Sequence, residues 1–179
     1  MKQIFLIRHC QAAGQEPEAP LTQEGIRQSI QLMDFLSDKN IDRIVSSPYK
    51  RAIDTIQPLS QAIGVPIIVD ARLEERVLSS KHLENWMELL RATYENLDQI
   101  YEGGESSREA MNRGVAVIHE IMDRTDGNAV VVTHGALMSL ILKHFDDSVG
   151  FEEWRSLTNP DVYVIRQRDG AYESERIWA

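Results

Sequence analysis

The strongest constraint in this chain is an alternation. Short apolar runs, each the length of one buried strand, are separated by stretches with helical spacing. Ile4 to Ile7 is the first run and Ala129 to Val132 a strong central one. Between them, Asp42 to Ser46 and Pro66 to Val69 read as two further strands. Thr22 is an N-cap candidate for a helix presenting Ile26, Ile30 and Met33 on one face. Ser47-Pro48 reads as N-cap and first-turn proline of a second helix, ended by Gly64, with Pro58 expected to kink or split it. Residues 82 to 101 carry Trp86, Leu89, Leu90, Tyr94 and Leu97 at helical spacing. Ser106 and Glu109 form a capping box for a helix that Gly127-Asn128 ends, and Ala136 to Phe145 is a last helix. Asp169-Gly170 between two strand-like runs predicts a hairpin. The pattern predicts an α/β layer fold, its sheet mostly parallel, with an antiparallel C-terminal hairpin.

At 179 residues, with no repeat or linker-like run, residues 1–179 are expected to form a single domain. The formal charge of −9 disfavours a nucleic-acid partner. One cysteine, Cys10, leaves no internal disulfide and no multi-Cys zinc site. Four consecutive apolar residues at the start are too few for a signal peptide or a membrane span, so no membrane contact and a cytoplasmic location are expected.

In such folds ligands bind beyond the carboxyl ends of the strands. Arg8-His9 and His134 stand at two of these ends. Arg51 lies in the first turn of the helix after a third, and Arg72, Glu74, Glu75 and Arg76 follow a fourth. Imidazoles, guanidiniums and a carboxylate converging on one rim suit phosphoryl transfer without a metal or other cofactor. Guanidiniums hold phosphoryl oxygens, a neutral imidazole attacks phosphorus, and a carboxylic acid protonates the leaving oxygen.

These residues resemble the histidine phosphatase superfamily, the phosphoglycerate mutase-like proteins. The resemblance rests on Ile7-Arg8-His9-Cys10, on Leu21-Thr22 with Gly25 and Gln28, and on Ser46-Ser47-Pro48 with Arg51-Ala52 and Thr55. Leu73-x-Glu75, Gly104-Glu105-Ser106 and Thr133-His134-Gly135 continue it in family order, to about residue 140. It implies a three-layer Rossmann-like fold with helices on both sheet faces and a covalent phosphohistidine. Carried over by position, His9 is the nucleophile, Glu75 the proton donor, and Arg8, Arg51 and His134 the phosphate pocket. Gln15 stands where many members have a phosphate-binding Asn. Residues 76–105 become a helical lid or substrate mouth. Cys10 replaces the family glycine, and the family's aromatic-Glu-Gly stretch after the acid is absent.

The implied activity is hydrolysis of a small phosphorylated metabolite. Its rivals are phosphoglycerate mutase-type transfer by the same residues and a non-catalytic phosphate-binding module. A cysteine-based phosphatase loop needs an Arg six residues after the Cys, where this chain has Glu16. No phosphate-binding P-loop is present, and His119-Glu120 lacks the second His of a zinc-protease helix. His82, His119 and His144 read as structural. The alcohol half of the substrate and the oligomeric state are left open by the sequence.

Overall fold

A computed structural model describes residues 2–124 and 127–179. Six strands form one sheet in the order β3-β2-β4-β1-β5-β6. They are β1 (Gln3–Arg8), β2 (Ile41–Ser46), β3 (Ile67–Val69), β4 (Asn128–Thr133), β5 (Asp161–Arg168) and β6 (Ala171–Arg176). The first four are mutually parallel, whereas β5 runs antiparallel to β1 and β6 antiparallel to β5. The expected hairpin turns through Asp169 (φ 50°) and Gly170 (φ 81°). Two successive residues of positive φ match the twist that a two-residue hairpin needs.

Side chains alternate across the sheet and build two cores. Ile4, Leu6, Ala129 and Val131 pack under α4 (Ser107–Arg124) and α5 (Gly135–Phe145). Phe5, Ile7, Val130 and Val132 pack under α1 (Gln23–Leu36) and α2 (Lys50–Ile63). The apolar runs have no polar alternation because both their faces are covered. Two shorter helices, α3 (Trp86–Glu95) and α6 (Phe151–Ser156), lie on the α5 side. No helix of the described residues is long and apolar enough to cross a membrane.

Several local expectations need correction. In α1, capped by Thr22 as expected, Gly25, Ser29, Leu32 and Leu36 face the core, while Ile26 and Ile30 are exposed. Gly25 sets this rotation, because a Cβ there would collide with the Gln11 carbonyl. The run at β3 is the sheet edge, leaving Ile68 and Val69 exposed. Helix α2 starts at Lys50, two residues beyond the proposed first-turn Pro48, and continues through Pro58 to Ile63 without splitting. Helix α3 is shorter than the 82–101 periodicity implied. It stops at Glu95, where the Asn96 side chain accepts from the Asp98 N–H and turns the chain out of the helix. The Ser106–Glu109 capping box forms reciprocally at the start of α4. That helix is described to Arg124, with Thr125 and Asp126 outside the described residues, and β4 begins at Asn128.

Candidate active site

The carboxyl ends of β2, β4 and β1 are neighbours in the sheet, so the residues leaving them meet. His9 donates its backbone N–H to Thr133 (3.1 Å) and Ser47 donates to Val132 (3.0 Å). The ladder thus extends one residue past each strand and fixes where the side chains emerge. Arg8, His9, Ser47 and His134 are thereby set on one rim, and Arg51 reaches it from the first turn of α2.

His9 is buried and its tautomer is determined. Nδ1 lies 2.7 Å from the Cys10 carbonyl oxygen, which can only accept, so Nδ1 carries the hydrogen. The lone pair is left on Nε2, where the Arg51 Nε–H donates at 3.2 Å. Burial, and then the positive charges of Arg51 and Arg8, push the His9 pKa down to about 4 against the Cys10 hydrogen bond. The ring is therefore neutral near pH 7. The His134 ring lies 5.1 Å from that of His9 and bonds Ser47 Oγ through Nε2 (2.8 Å). Its Nδ1 is buried with no partner among the described residues. Burial, followed by the neighbouring His9, Arg51 and Arg8, holds it well below the usual imidazole range.

Both arginines lack a carboxylate salt-bridge partner among the described residues. Arg51 donates through Nη1 to the Gln15 and Glu16 carbonyls and lies 5.0 Å from the Tyr49 ring. Arg8 donates through Nη1 to the Leu157 carbonyl, and its buried Nε has no partner among the described residues. Gly135 lets Arg8 pack against the start of α5, since a Cβ there would lie 2.9 Å from the guanidinium carbon. Half-buried or buried positive charge with no carboxylate in ion-pair contact suits an anionic ligand.

Glu75 reaches the same rim. Its carboxylate accepts from the Ala136 (3.1 Å) and Leu137 (2.9 Å) N–H groups in the first turn of α5, and from the Arg76 N–H (2.7 Å). Such donors suit a carboxylate at a helix N-terminus. Arg72 instead pairs with Asp70 and Glu120, and Glu105 with Arg113. Gln15 is exposed and lines, with Arg8 and Glu75, one end of a cavity of about 520 Å³. Cys10 is fully buried, donates its N–H to Thr55 Oγ1 (2.8 Å), and has its thiol pushed up to about 12 by burial. His119 packs against Tyr172 and Phe145, away from the rim.

The sequence reading missed three supporting residues. Ser47, read as a helix cap, bonds His134 and accepts the Tyr49 N–H. Asn159 donates to the His9 carbonyl at 3.0 Å. Arg113 on α4 donates to the carbonyls of Arg72 (2.6 Å), Glu74 (2.8 Å) and Glu75 (3.3 Å), clamping the segment that carries the carboxylate. Thr133 Oγ1 braces the same segment at the Leu73 carbonyl (2.7 Å). Only the capping pattern at Ser106–Glu109 hinted locally that α4 begins beside this segment.

The chain is 29% identical over 161 residues to the probable phosphoglycerate mutase GpmB of Escherichia coli K12, covering 79% of this chain and 74% of that protein. Its fold is similar to a mycobacterial glucosyl-3-phosphoglycerate phosphatase solved with inorganic phosphate (TM-score 0.80, 21% identity, 99% and 97% of the two chains). It is also similar to a phosphoserine phosphatase mutant from Entamoeba histolytica solved with phosphoserine (TM-score 0.78, 19% identity, 97% and 95%). The sequence profile of branch 1 of the histidine phosphatase superfamily matches residues 4–178, and the chain belongs to that superfamily.

Proposed function

We propose that this protein is a metal-independent phosphomonoesterase that hydrolyses a small phosphorylated metabolite through a phosphohistidine on His9. The observation that carries the reading is the state of His9. Its Nδ1–H is tied to the Cys10 carbonyl, its Nε2 lone pair is free of a proton, and Arg51 and Arg8 stand beside it.

In the first step Nε2 attacks phosphorus, the bond from phosphorus to the ester oxygen breaks, and Glu75, entering the step as the carboxylic acid that the hydrolytic step regenerates, gives its proton to that oxygen. The Nδ1–H bond to Cys10 supports the positive ring that results. In the second step water attacks phosphorus, Glu75 takes its proton, and the phosphorus–Nε2 bond returns its electron pair to His9. Arg8, Arg51 and His134 stabilise charge on the transferring oxygens. His134 Nε2 lies 2.8 Å from Ser47 Oγ; with the Ser47 O–H as the donor in that bond, the His134 hydrogen sits on the unpartnered Nδ1, available to a phosphoryl oxygen. Gln15 adds an amide at the pocket edge, and residues 76–105 shape the mouth.

A mutase reading is favoured by the names of the sequence relatives and uses the same residues. Hydrolysis is the better fit because Gln15, His82 and Trp86, around the cavity, are exposed, whereas a mutase must keep water from the phosphohistidine. The test is acid-free quenching during turnover of a labelled phosphomonoester. Labelled phosphate is expected on His9, absent in His9→Ala, together with phosphate release that survives exhaustive chelation. Turnover by His9→Ala would overturn the mechanism. Interconversion of phosphoglycerates without phosphate release would replace hydrolase by mutase.

A further inference from the structure

The 520 Å³ cavity extends well beyond the phosphoryl end. Arg8, Gln15 and Glu75 line that end with Ala136, and Arg76, His82 and four apolar side chains, Leu78, Trp86, Leu90 and Trp154, line the rest. These four apolar side chains come from the segment after β3, from α3 and from α6. The Trp86 and Trp154 rings lie 6.5 Å apart at an interplanar angle of 89°, making a corner of two perpendicular walls. Trp154 is backed by Phe151 (5.5 Å), which is backed in turn by Tyr94 (6.2 Å) and by the Arg91 guanidinium (5.3 Å). That wall is therefore fixed, whereas Trp86 remains 41% exposed. A large aromatic left facing water beside a catalytic pocket is unspent binding surface.

The charge in this half argues the same way. Arg76 is buried, but Nη1 donates to Ser107 and Thr93 and Nη2 to the Glu105 carbonyl, so its fork is occupied. Its Nε is inaccessible. Lys81 pairs with Glu102 at 2.8 Å. Among the described residues no guanidinium fork or ammonium is left free here to take a second phosphate or a carboxylate, and the remaining polar ring lining this half is the exposed imidazole of His82. The volume also lies in the range of roughly 300–1,000 Å³ that suits ligands larger than a three-carbon acid.

We infer that the alcohol half of the substrate carries a ring whose flat, apolar face packs on Trp86 in the corner made with Trp154. The preferred substrates are then ring-bearing phosphomonoesters, aryl-bearing or sugar, over phosphorylated three-carbon acids. This rests on the hydrolase reading and deepens it.

The test compares benzyl phosphate, glucose 6-phosphate, propyl phosphate and 3-phosphoglycerate. All leave as alkoxides, so differences report the body of the alcohol. At least one ring ester is expected to exceed 3-phosphoglycerate in kcat/KM by about tenfold or more, and which one does so separates aryl from sugar. Trp86→Ala should cost that ester about tenfold, mainly in KM, and leave propyl phosphate within about twofold. Trp154→Ala should act in the same direction. Equal turnover of all four esters, or an equal loss on all of them in Trp86→Ala, would overturn the inference.

If no phosphomonoester turns over, the hydrolase reading fails, and binding decides the inference separately. The chain has three tryptophans, so Trp178→Phe leaves Trp86 and Trp154 as the emitters. Quenching by benzylphosphonate but not by methylphosphonate would support a ring subsite. Quenching by both or by neither would overturn it.

Discussion

The two ends of the cavity are built in opposite ways. Beside the inner end, where Arg8 and Glu75 line the cavity, His9, Ser47 and His134 leave adjacent strands whose hydrogen-bonded ladder runs on past the last strand residue. Each functional group there has a second anchor: Cys10 for His9, Ser47 for His134, the start of α5 for Glu75. At the mouth, Trp86 and His82 lie on an exposed stretch secured at its base by Arg76 and by the Glu105–Arg113 pair. Reaction chemistry requires atoms placed to a fraction of an ångström, and a sheet supplies that. Substrate choice requires a surface that can vary without disturbing the sheet, and connections supply that. Changes at the inner end should therefore alter the chemical step, and changes at the mouth should alter which ester is accepted.

The largest break of this division is expected from Glu75→Gln. Alkyl esters should lose roughly a hundredfold or more in the phosphorylation step, because an alkoxide leaving group needs a proton. Phosphorylation by p-nitrophenyl phosphate should fall much less, since nitrophenolate leaves unaided. Glu74→Gln should change neither substrate appreciably. Single-turnover phosphorylation with both substrates decides the matter. A leaving-group-dependent loss in Glu74→Gln alone would move the acid by one residue.

Next in size is a pH effect on stability from the inner end. The folded pKa of His9 lies at about 4, below the unfolded value near 6.5. The unfolded chain therefore binds the proton first as pH falls. Stability from neutral His9 is fully present above pH 6.5 and is lost as pH drops toward 4. Between pH 7 and 5 the loss from this group is about 2 kcal/mol, and His134 changes in the same direction. Urea unfolding of wild type and His9→Gln at both pH values measures it. A variant as pH-sensitive as wild type would mean that His9 is not held neutral.

Arg113→Lys sharpens the comparison from a distance. The Arg113 fork holds the Arg72, Glu74 and Glu75 carbonyls and ion-pairs Glu105, so it positions the carboxylate and the mouth's base together. Lysine keeps the charge and loses the fork. A loss of about tenfold is expected for alkyl esters, with the same leaving-group dependence as Glu75→Gln but smaller. An equal loss on alkyl and nitrophenyl esters would show a general loosening instead of a displaced acid.

This division also explains what could be read from the sequence. The strand runs at Ile4–Ile7 and Ala129–Val132, the Thr22 and Ser106 caps and the Asp169-Gly170 turn are local signals, and each appears where it was expected. Arg8, His9, Arg51, Glu75 and His134 were legible because motif order carries them, and they do converge on one rim. Ser47, Asn159 and Arg113 were not. They act across 87, 150 and 39 residues of chain, on His134, His9 and Glu74 respectively, and no local pattern marks such pairings. Trp154 escaped notice for the same reason, since it meets Trp86 only after α6 has packed beside α3. The α1 face was misplaced because a glycine contact, not hydrophobicity, sets the rotation.

The smallest effect is expected at Cys10, and its smallness is informative. Cys10 follows the proposed nucleophile directly, so proximity alone would suggest a chemical role. Its geometry assigns the work to the backbone instead: the carbonyl fixes the His9 tautomer and the N–H bonds Thr55. Both groups survive any side-chain change that leaves φ and ψ alone. The thiol is fully buried and pushed up to about 12, so thiolate is scarce at neutral pH. Cys10→Ala should keep kcat/KM within about twofold and cost about 1 kcal/mol of stability from lost packing. The folded wild-type protein should resist alkylation by iodoacetamide at pH 8 and react fully in urea. Rapid labelling of the native protein, or loss of phosphoenzyme in a folded Cys10→Ala, would place the sulfur among the reacting groups and erase the distinction between side chains that react and backbone that aims them.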